Sequence, residues 1–218
     1  MSGFTASPRL VKAGLVLVDP ASAKVRRVIA LQYNPDSLSR TLQVQGAGDR
    51  ADRSEALRLK GPAVETYKLD AEIDATDQLE FPDQHSEVVA SGVAPQLALL
   101  ESLVQPAAAD LLARKALANA GTLEIAPMES ALALFVWGAQ RIAPVRVTEF
   151  SITEEAFAPA LNPIRAKVSL SLRVLSVDDL GFDHKGGGLF MAYLQSREQL
   201  ARRAAVFGFD ALGIGGLP

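Results

Sequence analysis

The chain has no cysteine, which removes a disulfide framework, thiolate chemistry and cysteine-ligated zinc, and is compatible with a reducing compartment. Histidine is nearly absent: His85 and His184 lie far apart, and neither stands in an HExxH pattern. A serine triad would need one of them as its base, and no GxSxG elbow occurs. Trp137 is the only tryptophan, so stacking on a ligand would fall to Trp137 and Tyr67. Neither sign of charge dominates, with a net charge of −3 and a pI near 5.5; the broad basic surface of a nucleic-acid binder is missing. No segment reaches the roughly 20 apolar residues of a membrane helix. Residues 1–9 lack the charged start and apolar core of an export signal. These absences lead us to expect cytoplasmic assembly, no nucleic acid and no direct stable membrane binding.

What is present is ordinary folded-protein composition. Apolar residues make up 49% and charged residues 22% of 218, which supplies one sizeable core and excludes global disorder. Residues 10–18 and 25–33 are β-rich runs separated by Asp19-Pro20-Ala21-Ser22-Ala23-Lys24, a turn signal, and predict a hairpin. Asn34-Pro35 ends the second run, because proline removes a ladder donor and pushes Asn34 away from helical geometry. A short strand is expected over 38–44, then a polar arm over 46–56. From Tyr67 to Ala75 alternation is clean, with Tyr67, Leu69, Ala71 and Ile73 on one face and Lys68, Asp70, Glu72 and Asp74 on the other.

The period then changes. Leu97, Leu100, Leu103 and Val104 recur at helical spacing, with Gly92 and Pro95 breaking or restarting the first turns. An alanine-rich stretch over 107–120 predicts a second helix. Strands resume over 131–137 and 142–153, where the apolar phase moves from Val145 and Val147 to Phe150 and Ile152; this predicts a β-bulge near Thr148-Glu149. After a turn in which Asn162 suits left-handed geometry, Ile164, Ala166, Val168, Leu170, Leu172 and Val174 alternate with Arg165, Lys167, Ser169, Ser171 and Arg173. Beyond Asp178, Gly186-Gly187-Gly188 reads as a hinge before a helix over 189–207 bearing Arg197, Arg202 and Arg203. The expected division is a β domain over 1–178, with a helical insertion at about 86–120, and a glycine-hinged helical extension over 179–218.

Candidate chemistry is thin. Asp70, Glu72 and Asp74 share a strand face and resemble oxygen ligands for a divalent cation. Parallel side chains on one strand do not converge into a cage, so a solvated or salt-paired face is the better reading, with Arg165, Lys167 and Arg173 as partners. Lys185-Gly186-Gly187-Gly188 has the wrong order for a phosphate loop. Trp137 reads as a core or rim anchor. No catalytic, metal or cofactor residue is assigned.

The order of strands and marker residues resembles the tube-related baseplate family of contractile injection systems, the phage-tail-like machines. The residues carrying the resemblance are the strand over 12–18, Leu31-Gln32-Tyr33-Asn34-Pro35, and the strand over 66–77. Beyond the central helix come Ala133-Leu134-Phe135-Val136-Trp137-Gly138, Phe150, and Pro163-Ile164-Arg165-Ala166 leading into the last strand. The match covers roughly residues 10–177. It implies a β-dominated α+β fold, a tail-tube-like antiparallel β-barrel or sandwich with an inserted helix and a C-terminal helical extension. It also implies a homohexameric ring between spike and inner tube, with the inner tube protein, the spike protein and other baseplate subunits as partners, and residence in an injection particle. Family members often carry a LysM domain after the tube-like part; this chain has too few residues there, so peptidoglycan binding is not carried over. Within that frame Asn34, Pro35, Trp137 and Gly138 are structural. Asp70, Glu72, Asp74, Arg165, Lys167, Arg173, Arg197, Arg202 and Arg203 are the expected assembly contacts, within or between subunits. A small-ligand or glycan-binding β-barrel using Trp137 and Tyr67 is the alternative, and a metal-dependent hydrolase on the acidic strand the weakest third.

Overall fold

The computed structural model describes residues 10–46, 57–121 and 131–217. Seven strands form one antiparallel sheet in the order β2-β1-β5-β6-β7-β4-β3: β1 (Gly14–Val18), β2 (Val25–Ala30), β3 (Ser39–Gln43), β4 (Val64–Asp74), β5 (Leu132–Val136), β6 (Ile142–Phe157) and β7 (Pro163–Val174). The chain is α+β, as expected. Between β4 and β5 lie α1 (Thr76–Leu79), a 3-10 turn (Pro82–Gln84), α2 (Ser86–Ser91), α3 (Ala94–Glu101) and α4 (Ala108–Asn119); α5 (Val177–Leu180) and α6 (Lys185–Ala201) follow β7.

The sheet curls without closing through its backbone. β5 and β4 are three strand steps apart, about 14 Å along a flat sheet, yet the Phe135 and Tyr67 rings meet at 5.1 Å between centroids. That contact requires a concave inner face, which encloses Leu15, Ile29, Tyr67, Leu69, Phe135, Val168, Leu170 and Leu172. α3 covers the same core with Leu97 and Leu100, and α6 with Phe190 and Tyr193. A smaller cluster of Val18, Leu132 and Leu134 packs against Leu175, Leu180 and Leu189.

A side chain bridges the open seam. The Gln32 amide donates to the Asp74 carbonyl at 2.7 Å and accepts from the Asp74 N–H at 3.0 Å, so it takes the place of a strand partner beyond the end of the β3–β4 ladder. Two residues later Asn34 repeats the device, accepting from Ala13 N–H and donating to the Val11 carbonyl, both at 2.8 Å. Side-chain amides offer one donor side and one acceptor side, which matches a peptide edge. The Gln32-Tyr33-Asn34-Pro35 run therefore ends β2 and clips both of its flanks.

The predicted bulge is present: the β6–β7 register shifts between Val147 and Glu149. Thr148 is the extra residue, and its hydroxyl donates to the Ser171 carbonyl at 3.1 Å. The helix break is also present, since α2 ends at Gly92 (φ +58) and α3 restarts with proline in its first turn. A Cβ at Gly92 would lie 2.0 Å from the Pro163 carbonyl oxygen, a close approach that only glycine allows.

Two expectations are corrected. Left-handed backbone at the β6–β7 turn falls on Leu161 (φ 63), while the Asn162 side chain instead donates to the Ala90 carbonyl at 2.8 Å. Gly186-Gly187-Gly188 is no hinge: it lies in the first turn of α6, where Gly186 and Gly187 are buried. A Cβ at Gly187 would sit 1.9 Å from the Gly181 carbonyl oxygen, so these glycines let the helix start press against the preceding loop. His184 caps that helix, its Nδ1 accepting from Gly186 N–H at 3.0 Å. The helix ends at Ala201, short of the expected 207, and the stretch beyond it is exposed. Most of the expected 46–56 arm lies outside the described residues.

Candidate assembly surface

The β4–β7 register sets Asp70 opposite Ser169, Glu72 opposite Lys167 and Asp74 opposite Arg165. Charges of opposite sign therefore face each other within one chain. Arg165 Nε lies 2.7 Å from Asp74 and 3.7 Å from Glu72, Lys167 Nζ lies 3.1 Å from Glu155, and Arg173 donates to Asp179 at 2.6 Å. Lys68 and Glu149 add a longer pair at 3.6 Å. Burial alone would raise the Asp74 carboxyl, but hydrogen bonds from Thr76 and the Arg165 guanidinium outweigh it and hold it below the usual aspartate range. Glu149 is likewise lowered, first by the Ser171 hydroxyl and then by Lys68. Asp70 is bonded by the Ser169 hydroxyl. Asp74 and Glu72 thus share Arg165 while Asp70 turns to Ser169, and among the described residues no group of three His, Asp or Glu side chains is placed to hold a metal ion.

Beneath this face lies a polar network that sequence reasoning missed. Arg40 on β3 bonds Glu65 on β4. Tyr193 on α6 donates to Glu65 at 2.8 Å and meets the Tyr67 hydroxyl at 2.8 Å. Glu65 is 6% exposed and Tyr67 is 0% exposed. Burial alone would raise the Glu65 carboxyl; the hydrogen bonds from Arg40 and from the two tyrosine hydroxyls hold it below the usual glutamate range instead. Burial, with Glu65 nearby, pushes both phenols above their ordinary range. The only sequence signal was Glu65 at an inward-phased position two residues before Tyr67, and its partners are far away in the chain. Arg141 lies over the Tyr67 ring at 5.9 Å. With Tyr67 sealed in the core, the stacking pair needed for a glycan-binding reading does not exist. Trp137 is half-buried just after β5 and packs 5.8 Å from Phe135, with Gly138 at φ +75 turning the chain after it.

The remaining basic positions lie elsewhere. Arg197 is half-buried on α6, while Arg202 and Arg203 are exposed just past its end. None of the three forms an ion pair among the described residues. Beyond them Val206, Phe207, Phe209, Leu212, Ile214 and Leu217 are 43% to 96% exposed. α4 is exposed along its length, including Leu111, Leu112 and Leu117. Between α4 and the sheet lies an open cleft of about 840 Å³ edged by Leu17, Leu103, Leu111, Val147, Arg26 and Arg114.

No family model matches the chain, and no curated protein matches it. Solved structures that it resembles include a chain from the tail of an empty gene transfer agent particle with C6 symmetry, at 13% identity and a TM-score of 0.28, covering 75% of this chain and 90% of that one. A chain from the virion of a native gene transfer agent particle aligns at 13% identity and a TM-score of 0.26, covering 74% and 90%. TM-scores this low do not establish a common fold.

Proposed function

We propose that this protein is a structural subunit of a contractile injection particle, a tube-initiating or spike–tube adaptor that acts by assembling into a ring and carries out no catalysis. The observation that carries the reading is surface. Leu111, Leu112 and Leu117 on α4 and Val206, Phe207, Phe209, Leu212 and Leu217 in the C-terminal segment are exposed, apolar side chains that a chain acting alone has no reason to leave in water. The resemblance in strand order and marker residues supports the same reading, and several of those markers have structural work here: Gln32 and Asn34 clip the seam, Trp137 closes the rim, and Pro163 receives the Gly92 turn. A sixfold ring seated between spike and inner tube, in contact with other baseplate subunits, is the form that the family resemblance implies. The test is negative-stain imaging of the chain co-expressed with the products of its neighbouring reading frames. Rings or tubes are expected; dispersed single particles under all co-expression conditions refute the proposal.

A further inference from the structure

Two surfaces at opposite ends of the molecule complement each other. α6 begins beside Leu132, at the start of β5, and its Ser196 hydroxyl donates to the Gln140 carbonyl beyond the end of β5. The helix therefore runs away from the β6–β7 tip and carries Arg202 and Arg203 past the base of β6, and the exposed segment with Phe207 and Phe209 follows them in the chain. At the tip, Asn162 and Pro163 are hydrogen-bonded to the α2–α3 junction through Ala90 and Val93. Around this junction Phe81, Val89, Phe157 and Leu161 are 48% to 79% exposed. Glu80, Asp83, Glu87 and Glu154 are exposed beside them, and no lysine or arginine occurs between Lys68 and Arg114. One end is apolar with an acidic rim, and the other is an apolar segment led by two arginines.

We infer that the segment 202–217 of one copy docks on the tip surface of a second copy, with Arg202 and Arg203 against the acidic rim and Phe207 and Phe209 on the apolar residues. This inference rests on the assembly reading and names the contact that joins successive subunits. The occupant is another copy and not the same chain, for a geometric reason. β6 spans fifteen residue steps from Ile142 to Phe157, about 50 Å of strand, whereas Phe209 lies only seven residues beyond Arg202, a reach of about 25 Å when fully extended. The contact joins two different surfaces, so it is heterologous and either closes into a ring or continues as a filament.

The experiment is sedimentation of the full chain and of two charge-reversed forms, R202E/R203E and E80K/D83K/E87K. Circular dichroism and thermal melts verify that each is folded; all five positions are exposed. Wild type is expected to self-associate and to dissociate as salt rises. Each variant alone is expected to need at least about tenfold more protein for half-assembly, since like charges then meet at the interface. An equimolar mixture of the two is expected to regain assembly, because the acidic segment of one then meets the basic tip of the other. Assembly of either variant at the wild-type concentration, or a mixture no better than its components, overturns the inference and leaves the adaptor reading standing. Wild type that stays monomeric at every concentration and salt also overturns it; the adaptor reading is decided separately by imaging with its neighbours.

Discussion

Glu65→Ala is the sharpest perturbation of the link between α6 and the sheet. The substitution removes the counter-charge of Arg40 and the acceptor of Tyr193, whose hydroxyl also bonds the fully buried Tyr67. Removing one partner of a buried ion pair costs about 3–5 kcal/mol. The Arg40 side chain keeps 23% exposure, so water recovers part of its solvation, and we expect the lower end, about 3 kcal/mol. In a chain of this size that is a fall of about 6–12 °C in Tm. Glu65→Gln keeps an acceptor for Tyr193 and loses only the charge, so about half the cost is expected. Urea unfolding followed by fluorescence reports directly, because the single tryptophan, Trp137, packs on Phe135, which packs on Tyr67. The Glu65 carboxyl has a lowered pKa in the folded state, so its contribution is complete above the ordinary glutamate value of 4.5 and disappears as pH falls through the lowered folded value. The stability gap between wild type and Glu65→Gln must therefore narrow on acidification below that value. Glu65→Ala within about 0.5 kcal/mol of wild type, the range of a neutral surface change, would mean that the buried network does not hold α6 to the sheet.

Other perturbations have equally definite outcomes. Gln32→Leu leaves the Asp74 N–H and carbonyl without their side-chain partner at the seam; a loss of about 1–3 kcal/mol is expected in chemical denaturation, with faster amide exchange at Asp74. Gly92→Ala places a Cβ against the Pro163 carbonyl at a positive φ, and soluble yield and Tm should both fall sharply, against a mild effect for the exposed Gly188→Ala. Deleting Thr148 removes only the extra residue and keeps Phe150 and Ile152 facing inward, whereas deleting Ser151 turns Ile152 to the outer face; the second deletion should lower the melting temperature far more than the first.

The charged outer face is satisfied largely within the chain. Had Asp70, Glu72 and Asp74 met Arg165, Lys167 and Arg173 only between copies, the isolated chain would carry two strips of like charge. Cross-strand pairing neutralises much of that face within the chain, and exposed pairs of this kind contribute at most about 1 kcal/mol each. The face therefore serves local register, while Arg202 and Arg203, which form no ion pair among the described residues, are the charges that the inferred docking contact uses.

The strands were legible in the order of residues. Period-two alternation over 67–75 and 164–174 needs no tertiary partner to be visible, because one face must be apolar wherever a half-buried strand packs. The phase change across Thr148 located the bulge for the same reason, and Gly92 with Pro95 located the break between α2 and α3. Tertiary structure alone decided what long-range contacts decide: that Gln32 and Asn34 would clip the seam, that Glu65 would be buried against Arg40 and Tyr193, and that Gly186 and Gly187 would pack where a flexible hinge was expected. A glycine that lacks a side chain for freedom and one that lacks it for closeness look identical in a sequence. Only the position of the Gly181 carbonyl, brought in by the fold, distinguishes them.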